Sequence, residues 1–410
     1  MSLNYFSKYI NKKHRPAMLA LTGISLFGLA ACGTAQVQGS SPSTSATSNS
    51  SAHASSISLV NGTGVVDLTA SGGGIAARGF DGSALWELTQ SSIDISLDGG
   101  TSWTSVPLPA VTSVSDVAAT PSGQVWLSAS NGNATGVAVY GKNSPQSPWT
   151  KTVLNPSWPS FEASQPPPRV LISVGPGPTS VLLERGGANV GVSSNLFVLS
   201  GSAFQQRPLP ASFRAFGDGT VVFTSSTNAV AQDGNRKLYY STDGGQTWSE
   251  SNLGLSAVEI GTPLASGQNI YLPVALTKTA TTASTPGSAE IALYVSTDGG
   301  KTYNSVDSSI GVTQFGSIPA LAVSGNNIWL APSRQHTLYE STNGGKTWAS
   351  VTVASGLSEN PPAMTLVSSK EALALTFSFS CTSPKENCIQ DQHLEVTTDG
   401  GQTWQAIANR

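Results

Sequence analysis

The side chains in this sequence that could most readily bind or act on a charged ligand are arginines spread along the chain. A guanidinium group binds a carboxylate through two parallel hydrogen bonds, so three converging arginines would form a clamp for an acidic ligand. The arginines from which such a clamp could be drawn are Arg78, Arg169, Arg185, Arg214, Arg236 and Arg334. Their spacing selects no three of them, and no acid or nucleophile accompanies them in a recognisable motif. We therefore predict no catalytic residue.

The first 31 residues have the organisation of an export signal. An apolar run over residues 17–31 is too short for a stable membrane span and follows a basic start that contains no acidic residue. The run ends in Leu29-Ala30-Ala31-Cys32, which resembles the bacterial lipobox, whose cysteine receives a diacylglyceryl group and becomes the new N-terminus. An ordinary signal peptide followed by a chance cysteine is the alternative. The basic residues are Lys8, Lys12, Lys13 and Arg15.

A lipid on Cys32 would hold the exported protein on the bacterial cell membrane, on its extracytoplasmic side. Residues 33–56 are mostly Ser, Thr, Ala and Gly without a charged residue, and such a segment cannot bury a core. We predict a signal peptide over residues 1–31, a lipidated cysteine and tether over 32–56, and a folded domain over 57–410. Loss of the four amino-terminal cations takes the formal net charge from −3 to −7, which argues against a nucleic-acid partner.

Two further cysteines, Cys381 and Cys388, lie close together in the sequence. In an exported protein a close pair is most simply a disulfide, and here it would stiffen a single loop. A metal site is the alternative, but His336 and His393 are the only histidines that follow the tether. We predict the disulfide, and neither a metal nor another cofactor.

The composition indicates a β-protein. Only 10% of the 410 residues are charged, and the 42 glycines and 24 prolines are too many for long helices but suit a chain with many tight turns. This excludes a coiled coil.

One octet recurs five times, each time after an alternating apolar run that is typical of a strand. Residues 241–248, Ser-Thr-Asp-Gly-Gly-Gln-Thr-Trp, are an example. The carboxylate can accept hydrogen bonds from the turn's own N–H groups, the glycines allow positive φ, and the aromatic residue begins the returning strand. We predict a structural role. Calcium binding is the alternative, for which each turn offers too few oxygens. The acidic or amide position and the aromatic position are Asp98 and Trp103, Asp243 and Trp248, Asp298 and Tyr303, Asn343 and Trp348, and Asp399 and Trp404.

These octets resemble the Asp-box, also called the BNR repeat. The resemblance implies a β-propeller in which each box is the hairpin between the third and fourth strands of a blade. The interval between the box aromatics Trp103 and Trp248 is 145 residues, whereas the later intervals are 55, 45 and 56. We therefore predict two more blades in the long interval. Their boxes are eroded, and the aromatic residues that end these boxes are Trp149 and Phe204. The fold class is all-β: a seven-bladed propeller of four-stranded antiparallel blades.

A second repeat, Gly followed by a short apolar strand, precedes the boxes and predicts that Trp126 and Trp329 are core residues. For ring closure, residues 57–70 offer a strand that could pair with the last blade. The implied strand order places the boxes on one face, and the loops between second and third strands together with the links between blades on the other. The candidate ligand-facing residues on that other face are Trp158, Arg169, Arg185, Arg214, Arg236, Arg334 and His336.

The propeller families that this sequence resembles imply two different functions. The sequence is similar to the photosystem II assembly and stability factor family in having an Asp-box propeller of seven blades, which implies a non-catalytic binding or assembly scaffold. Sialidases imply instead an exo-glycosidase with three arginines, a Tyr/Glu nucleophile pair, an Asp acid and an F-R-I-P motif. Here Phe213-Arg214-Ala215-Phe216 lacks the Ile-Pro. We predict the scaffold, with an unknown protein or glycan as its ligand, and keep the glycosidase as the alternative.

Overall fold

In the computed structural model of the protein, the folded domain consists of strands and turns. The compact unit spans Ile57–Arg410. The described residues are 66–67, 75–81, 83–130, 137–158, 168–187, 191–213, 219–253, 258–277, 288–314, 317–332, 335–354, 357, 363–381 and 388–407. All regular elements within these ranges are β-strands, and no helix there is long and apolar enough to cross a membrane.

Seven antiparallel sheets, the blades of a propeller, follow one another along the described chain. Blade 1 contains β2 (Ala77–Asp81), β3 (Ala84–Leu88), β4 (Ser92–Ser96) and β5 (Thr104–Pro107). Blade 2 contains β7 (Asp116–Ala119), β8 (Val125–Ser130), β9 (Val137–Lys142) and β10 (Thr150–Leu154). Blade 3 contains β11 (Arg169–Ser173), β12 (Ser180–Gly187), β13 (Gly191–Ser200) and β14 (Ala203–Arg207). Blade 4 contains β15 (Thr220–Phe223), β16 (Ala229–Gln232), β17 (Leu238–Ser241) and β18 (Ser249–Glu250).

The remaining three blades have the same order. Blade 5 contains β19 (Val258–Ile260), β20 (Leu264–Ser266), β21 (Asn269–Thr277), β22 (Ser288–Ser296) and β23 (Asn304–Gln314). Its innermost strand is split in two, and both parts pair with β21. Blade 6 contains β24 (Ala320–Ser324), β25 (Asn327–Ala331), β26 (Thr337–Ser341) and β27 (Ala349–Thr352). Blade 7 contains β28 (Ala363–Leu366), β29 (Ala372–Cys381), β30 (Cys388–Thr397) and β31 (Gln405–Ala406).

Each blade is an antiparallel meander: every strand pairs with the next one in sequence, except that in blade 5 both β19 and β20 pair with β21. The predicted seven-bladed, all-β propeller is therefore confirmed. The two eroded boxes lie where the sequence placed them. In blade 2, Trp149 directly precedes the fourth strand. In blade 3, a tight turn at Gly201, with φ of +63°, joins the third strand to Phe204.

The core of the described domain consists of seven apolar clusters, one for each interface between neighbouring blades. The predicted core position of Trp329 is confirmed, because this side chain is 1% exposed and packs edge-on against Trp404. Trp126 packs in the same edge-on way against Phe204 of blade 3, with ring centroids 5.7 Å apart. Burial of large side chains on both faces of each sheet thus holds the blades together.

Ring closure follows the same rule, and among the described strands none is shared between blades 1 and 7. Leu85 of blade 1 packs with Leu373 and Leu394 of blade 7, and the Arg78 amide donates a hydrogen bond to Gln392 Oε1 over 3.1 Å. The expectation that residues 57–70 pair with the last blade is wrong for the described part of that segment, β1 (Val66–Asp67), which pairs with β6 (Ser113–Val114) beside blade 2. Blade 7 obtains its fourth strand from its own box hairpin, because β31 directly follows Trp404. The rest of residues 57–70 lies outside the described residues.

Candidate functional site: the two faces of the ring

The Asp-box turns lie on one face of the ring, and their serine and aspartate side chains form hydrogen bonds within the turn. In the first box the Gly100 amide donates to Ser96 Oγ over 2.8 Å, and the Ser96 hydroxyl donates to Asp98 Oδ1 over 2.8 Å. The Ser102 amide and hydroxyl donate to the two carboxylate oxygens of Asp98 over 2.8 and 2.5 Å. Both glycines have positive φ, +69° at Gly99 and +91° at Gly100, which a side chain with Cβ would resist. The other four boxes repeat these contacts around Asp243, Asp298, Asn343 and Asp399.

Hydrogen bonding stabilises the charged form of the box carboxylates. The Ser102 hydroxyl and amide lower the pKa of Asp98 to about 2. The Thr247 hydroxyl and amide do the same for the pKa of Asp243, and those of Thr403 for the pKa of Asp399, each to about 2. These acids therefore stay ionised at neutral pH.

The box in blade 6 shows that the negative charge is dispensable. Asn343 Oδ1 accepts from the Thr347 amide over 3.0 Å, and Asn343 Nδ2 donates to Thr347 Oγ1 over 2.7 Å. A neutral amide thus forms the same turn, so the turn does not depend on a carboxylate charge. Within the described ranges, no three His, Cys, Asp or Glu side chains lie close enough to hold a metal ion.

The box tryptophans of blades 1, 4 and 7 donate a hydrogen bond either to their own turn or to the link that precedes their blade. The indole N–H groups of Trp103 and Trp404 donate to the carbonyls of Gly100 and Gly401, each over 3.0 Å. The indole of Trp248 donates instead to the Pro208 carbonyl in the link from blade 3. In the eroded box of blade 2, Trp149 donates to the Pro107 carbonyl over 2.8 Å. Tyr303 and Trp348 occupy the same position in blades 5 and 6, and burial raises the pKa of Tyr303.

On the opposite face, which we call the loop face, the described candidate arginines each have a separate partner. Arg169 Nη1 donates to Glu184 Oε2 over 2.8 Å within blade 3. The guanidinium of Arg185, which is 3% exposed, lies over the Trp158 ring at 5.6 Å. Glu184, the partner of Arg169, and Arg185 are consecutive in β12, so their side chains lie on opposite faces of the blade. Arg169 and Arg185 therefore meet different partners.

The other described candidates lie in other blades of the ring. Arg236, at the loop between the second and third strands of blade 4, forms an ion pair with Glu259 of blade 5. His336 is exposed in the corresponding loop of blade 6. Arg78 pairs with Glu87 at 3.8 Å near the junction of blades 1 and 7. Arg214 and Arg334 lie outside the described residues. The structure thus does not bring the described arginines together into one clamp.

Comparisons with known proteins agree with the geometry of the turns. The model of the BNR/Asp-box repeat matches residues 239–250, which span the box of blade 4. The chain is a seven-bladed β-propeller with Asp-box turns. A second family model, described as sortilin, neurotensin receptor 3, matches residues 291–410 of the propeller, from blade 5 to the end of blade 7. A comparison with curated protein sequences gives no match.

The Asp-box propeller is also similar to solved structures. YCF48 from Cyanidioschyzon merolae is 15% identical, over 78% of this chain and 94% of that chain, with a TM-score of 0.45. YCF48 bound to a D1 peptide is 12% identical over 72% and 80% of the chains, with a TM-score of 0.38. The propeller domain of the Trilobed protease from Pyrococcus furiosus is 9% identical over 80% and 91%, with a TM-score of 0.41. No function follows from likenesses of this size.

Among the described residues of the Asp-box propeller, blades 3, 5 and 7 have longer strands at the loop face than the other four blades. Their second and third strands have 8 to 10 residues, whereas those of the other four blades have 4 to 6. The third strand ends at its box or turn in every blade, so the extra length lies at the loop face. Four extra residues add about 13 Å. We call these three extensions the hairpin arms.

Two acidic residues on the inner strands were missed by sequence reasoning. Asp81 Oδ2 accepts from the Ala119 amide of blade 2 over 2.9 Å, and Asp116 Oδ2 accepts from the Ile172 amide of blade 3 over 2.6 Å. Each carboxyl therefore joins its blade to the next one. Burial raises the pKa of Asp116, which is 1% exposed, to about 8, and the nearby Asp81 adds to the effect. Burial also raises the pKa of Asp81 to about 7. Asp81 keeps part of its surface exposed, whereas Asp116 is buried.

The sequence did contain a signal for these residues. Asp116 and Asp81 are single acids at the ends of short apolar runs, Asp-Val-Ala-Ala and Arg-Gly-Phe-Asp, each of which forms the innermost strand of a blade. A charged residue at such a position must find donors in the neighbouring blade or become protonated. Periodicity alone assigns no partner.

Proposed function

We propose that the protein is a surface-anchored lipoprotein whose Asp-box propeller acts as a non-catalytic binding or assembly scaffold. Cys32 would carry the lipid after removal of residues 1–31, and residues 33–56 would hold the domain off the bilayer. The ligand would be a protein or glycan outside the cytoplasm. The predicted mature charge makes nucleic acid an unfavourable partner.

The observation that carries this proposal is the asymmetry of the two faces. The box turns are nearly identical and use their aspartate and hydroxyl side chains for hydrogen bonds within the turn, so their face offers a partner little to bind. The loop face carries the three hairpin arms, on a ring held by an apolar cluster at each blade interface. Varied loops positioned by a rigid scaffold are the usual setting of binding sites.

The alternative, an exo-glycosidase of the sialidase type, has no observation in its favour. A carboxylate clamp needs guanidinium groups that point at one ligand, but Arg169, Arg185 and Arg236 face Glu184, Trp158 and Glu259. A fluorogenic sialoside tests this directly. Turnover that is lost in Arg214→Ala would establish the enzyme and overturn the scaffold.

The scaffold role is tested by capture from the parent membranes with the full mature chain. We expect one or more partners above background, with capture reduced when a hairpin arm is shortened to the length found in blades 4 and 6. A matched control replaces a box residue, Asp243→Asn, and should retain capture. Cys32→Ser should release the protein from membranes without loss of partner binding. No partner with any form of the protein would contradict the proposal.

A disulfide between Cys381 and Cys388 belongs to the same proposal. The two residues are direct register partners at the far end of the blade 7 arm. Adjacent antiparallel strands hold directly opposite residues at Cα separations that a disulfide can span. Alkylation of the denatured protein should label neither cysteine before reduction and both afterwards, and labelling without reduction would contradict the disulfide.

A further inference from the structure

We infer that Asn343, in the box of blade 6, is a site of spontaneous chemical modification, in which its side-chain amide is converted to a carboxyl group at a rate that the folded turn controls. Asn343 stands where the other four boxes have aspartate, and Gly344 follows it in the chain. The inference goes beyond the proposed scaffold role and does not depend on it, because it concerns the chemistry of a single turn.

The reaction is a deamidation that consumes only water. The Gly344 nitrogen loses its proton and attacks Asn343 Cγ, the bond from Cγ to the side-chain nitrogen breaks, and ammonia leaves a five-membered cyclic imide. Water then opens the imide at one of its two carbonyls and yields either aspartate or isoaspartate. Glycine in the second position favours the attack, because it has no Cβ to obstruct the approach of its nitrogen.

The folded turn engages the two reacting groups with separate partners. Asn343 Oδ1 accepts hydrogen bonds from the Ser341 hydroxyl and the Thr347 amide, each over 3.0 Å, and Asn343 Nδ2 donates to Thr347 Oγ1 over 2.7 Å. The Gly344 amide donates to the Asn326 carbonyl over 2.9 Å. Attack therefore requires that the side chain and the Gly344 nitrogen leave these partners. The turn must open first, so the reaction is slower in the folded protein than in the unfolded chain.

The turn accepts aspartate, the first of the two products. In blade 4 the Asp243 carboxylate accepts from the Ser241 hydroxyl over 2.8 Å and from the Thr247 amide and hydroxyl over 2.9 and 2.6 Å. Asn343 has the same three contacts, except that its third hydrogen bond runs from the amide to the Thr347 hydroxyl. Because a hydroxyl can donate as well as accept, conversion to aspartate only reverses this bond. The converted box would match that of blade 4, where the Thr247 hydroxyl and amide lower the pKa of Asp243 to about 2, and would carry a negative charge.

The turn does not accept isoaspartate, the second product. Isoaspartate adds a backbone carbon before Gly344, whereas Gly344 and Gly345 hold φ of +73° and +89°, and the Gly345 amide donates to Ser341 Oγ over 2.8 Å. A Cβ on Gly345 would lie only 2.7 Å from Val306 of blade 5, so the backbone there has little room to shift. We therefore expect the two products to differ in stability.

The test follows conversion of Asn343 by peptide mapping and mass spectrometry of the full mature chain, aged at mildly alkaline pH either folded or in urea. Two further Asn-Gly pairs, Asn61-Gly62 and Asn131-Gly132, are internal references for the chain in urea. Thr347→Val removes the hydroxyl that holds Asn343 Nδ2 and keeps the shape of the side chain. Thr347→Ser keeps the hydroxyl and is the matched control.

In urea we expect Asn343 to deamidate at a rate similar to the two reference pairs. In the folded parent chain Asn343 should react at least about tenfold more slowly, because several hydrogen bonds must break first. Folded Thr347→Val should react about threefold or more faster than the parent, and Thr347→Ser at nearly the parent rate. Equal rates for folded and unfolded parent chains, a comparison that needs no variant, would overturn the inference. So would equal rates in folded Thr347→Val and Thr347→Ser.

The fate of the products is tested on aged protein separated by ion exchange. The aspartate form should melt at the same temperature as Asn343→Asp, and both should melt close to the parent chain. The isoaspartate form should melt at a lower temperature. A clearly lower melting temperature for Asn343→Asp would show that the turn does not accept the product, and the inference would be wrong.

Discussion

The aspartates of the box turns and the aspartates of the inner strands have opposite surroundings. Asp98, Asp243 and Asp399 are hydrogen-bonded by neighbours within four residues, and their pKa values fall to about 2. Asp116 accepts an amide proton from Ile172, 56 residues away, and burial raises its pKa to about 8. The first arrangement depends only on residues within one turn, so it can recur from blade to blade. The second exists only where blades meet.

This contrast separates contacts that shape a single hairpin from contacts that join neighbouring blades. The box side chains shape each hairpin through hydrogen bonds to residues within four positions, so the turn recurs wherever Gly-Gly and the flanking hydroxyls are present. The inner-strand acids join blades 1, 2 and 3 at the axis, where burial of a charge has to be offset by amide donors from the next blade. Four predictions follow from the contrast, in order of decreasing effect.

The largest effect is expected from the second box glycine of blade 5, Gly300. It has φ of +92°, and a Cβ there would overlap Val230 of blade 4. Gly300→Ala should lower the free energy of unfolding by about 2–4 kcal/mol, because strain and overpacking add. The matched control is Gly267→Ala, where φ is +60° but no atom lies within 4 Å. Urea denaturation should show a loss of only about 1 kcal/mol for the control. Equal losses would show that close packing beneath the box is unimportant.

The next largest effect is expected from Asp116→Ala. This change removes the acceptor for the Ile172 and Val117 amides and should cost about 1–3 kcal/mol of unfolding free energy. Asp94→Ala is the control, because the Asp94 carboxylate accepts from the Ser92 hydroxyl within its own strand and joins no blades. Thermal unfolding of both variants measures the difference. A control as damaged as Asp116→Ala would remove the distinction between local and inter-blade acids.

The dependence of the unfolding free energy on pH should have opposite signs for Asp116 and for the box aspartates. The pKa of Asp116 rises on folding from 3.8 to about 8, so between these values the folded state holds more protons and stability falls as the pH rises. The slope is at most about 1.4 kcal/mol per pH unit. Asp116→Asn should flatten this slope between pH 5 and pH 8 in urea titrations.

The box acids act in the opposite direction. Their contribution is present above the ordinary pKa of 3.8 and is lost as the pH falls towards 2. An unchanged slope in Asp116→Asn above pH 5 would show that this carboxyl does not titrate differently in the folded state.

The smallest effect is expected from Asp243→Asn, because Asn343 forms the equivalent turn in blade 6 with the same amide contact. The melting temperature should hardly change, whereas Asp243→Ala should lower it. A clear loss in Asp243→Asn would show that the box charge itself stabilises the turn. Gain or loss of calcium binding in either variant, followed by calorimetry, would reopen the metal alternative.

Sequence reasoning predicted the features that are set by neighbours in the chain. The octets fixed the third and fourth strands of five blades, and the long interval before Trp248 placed the two eroded blades correctly, because a blade needs a near-constant length of chain. Core positions such as Trp329 followed from the same repeat. The lipid on Cys32 and the disulfide of Cys381 and Cys388 stay predictions.

Sequence reasoning was less successful for features that depend on contacts between blades. It proposed closure through residues 57–70, whereas the described ends of the ring close through Leu85, Leu373 and Leu394. It grouped the arginines as ligand-facing candidates, whereas Arg169, Arg185 and Arg236 each contact a local partner. Spacing along the chain does not report which neighbour a long side chain will meet.

The sequence by itself determined that the chain forms a propeller, where its turns lie, and how many blades it has, because each box lies within one hairpin and successive blades need a near-constant length of chain. Only the tertiary structure decided how the ring closes, which carboxyls are buried between blades, and which hairpins extend on the loop face. Those properties arise from surfaces that are far apart in the chain and meet only after the blades have packed, where burial and backbone pairing select the partners.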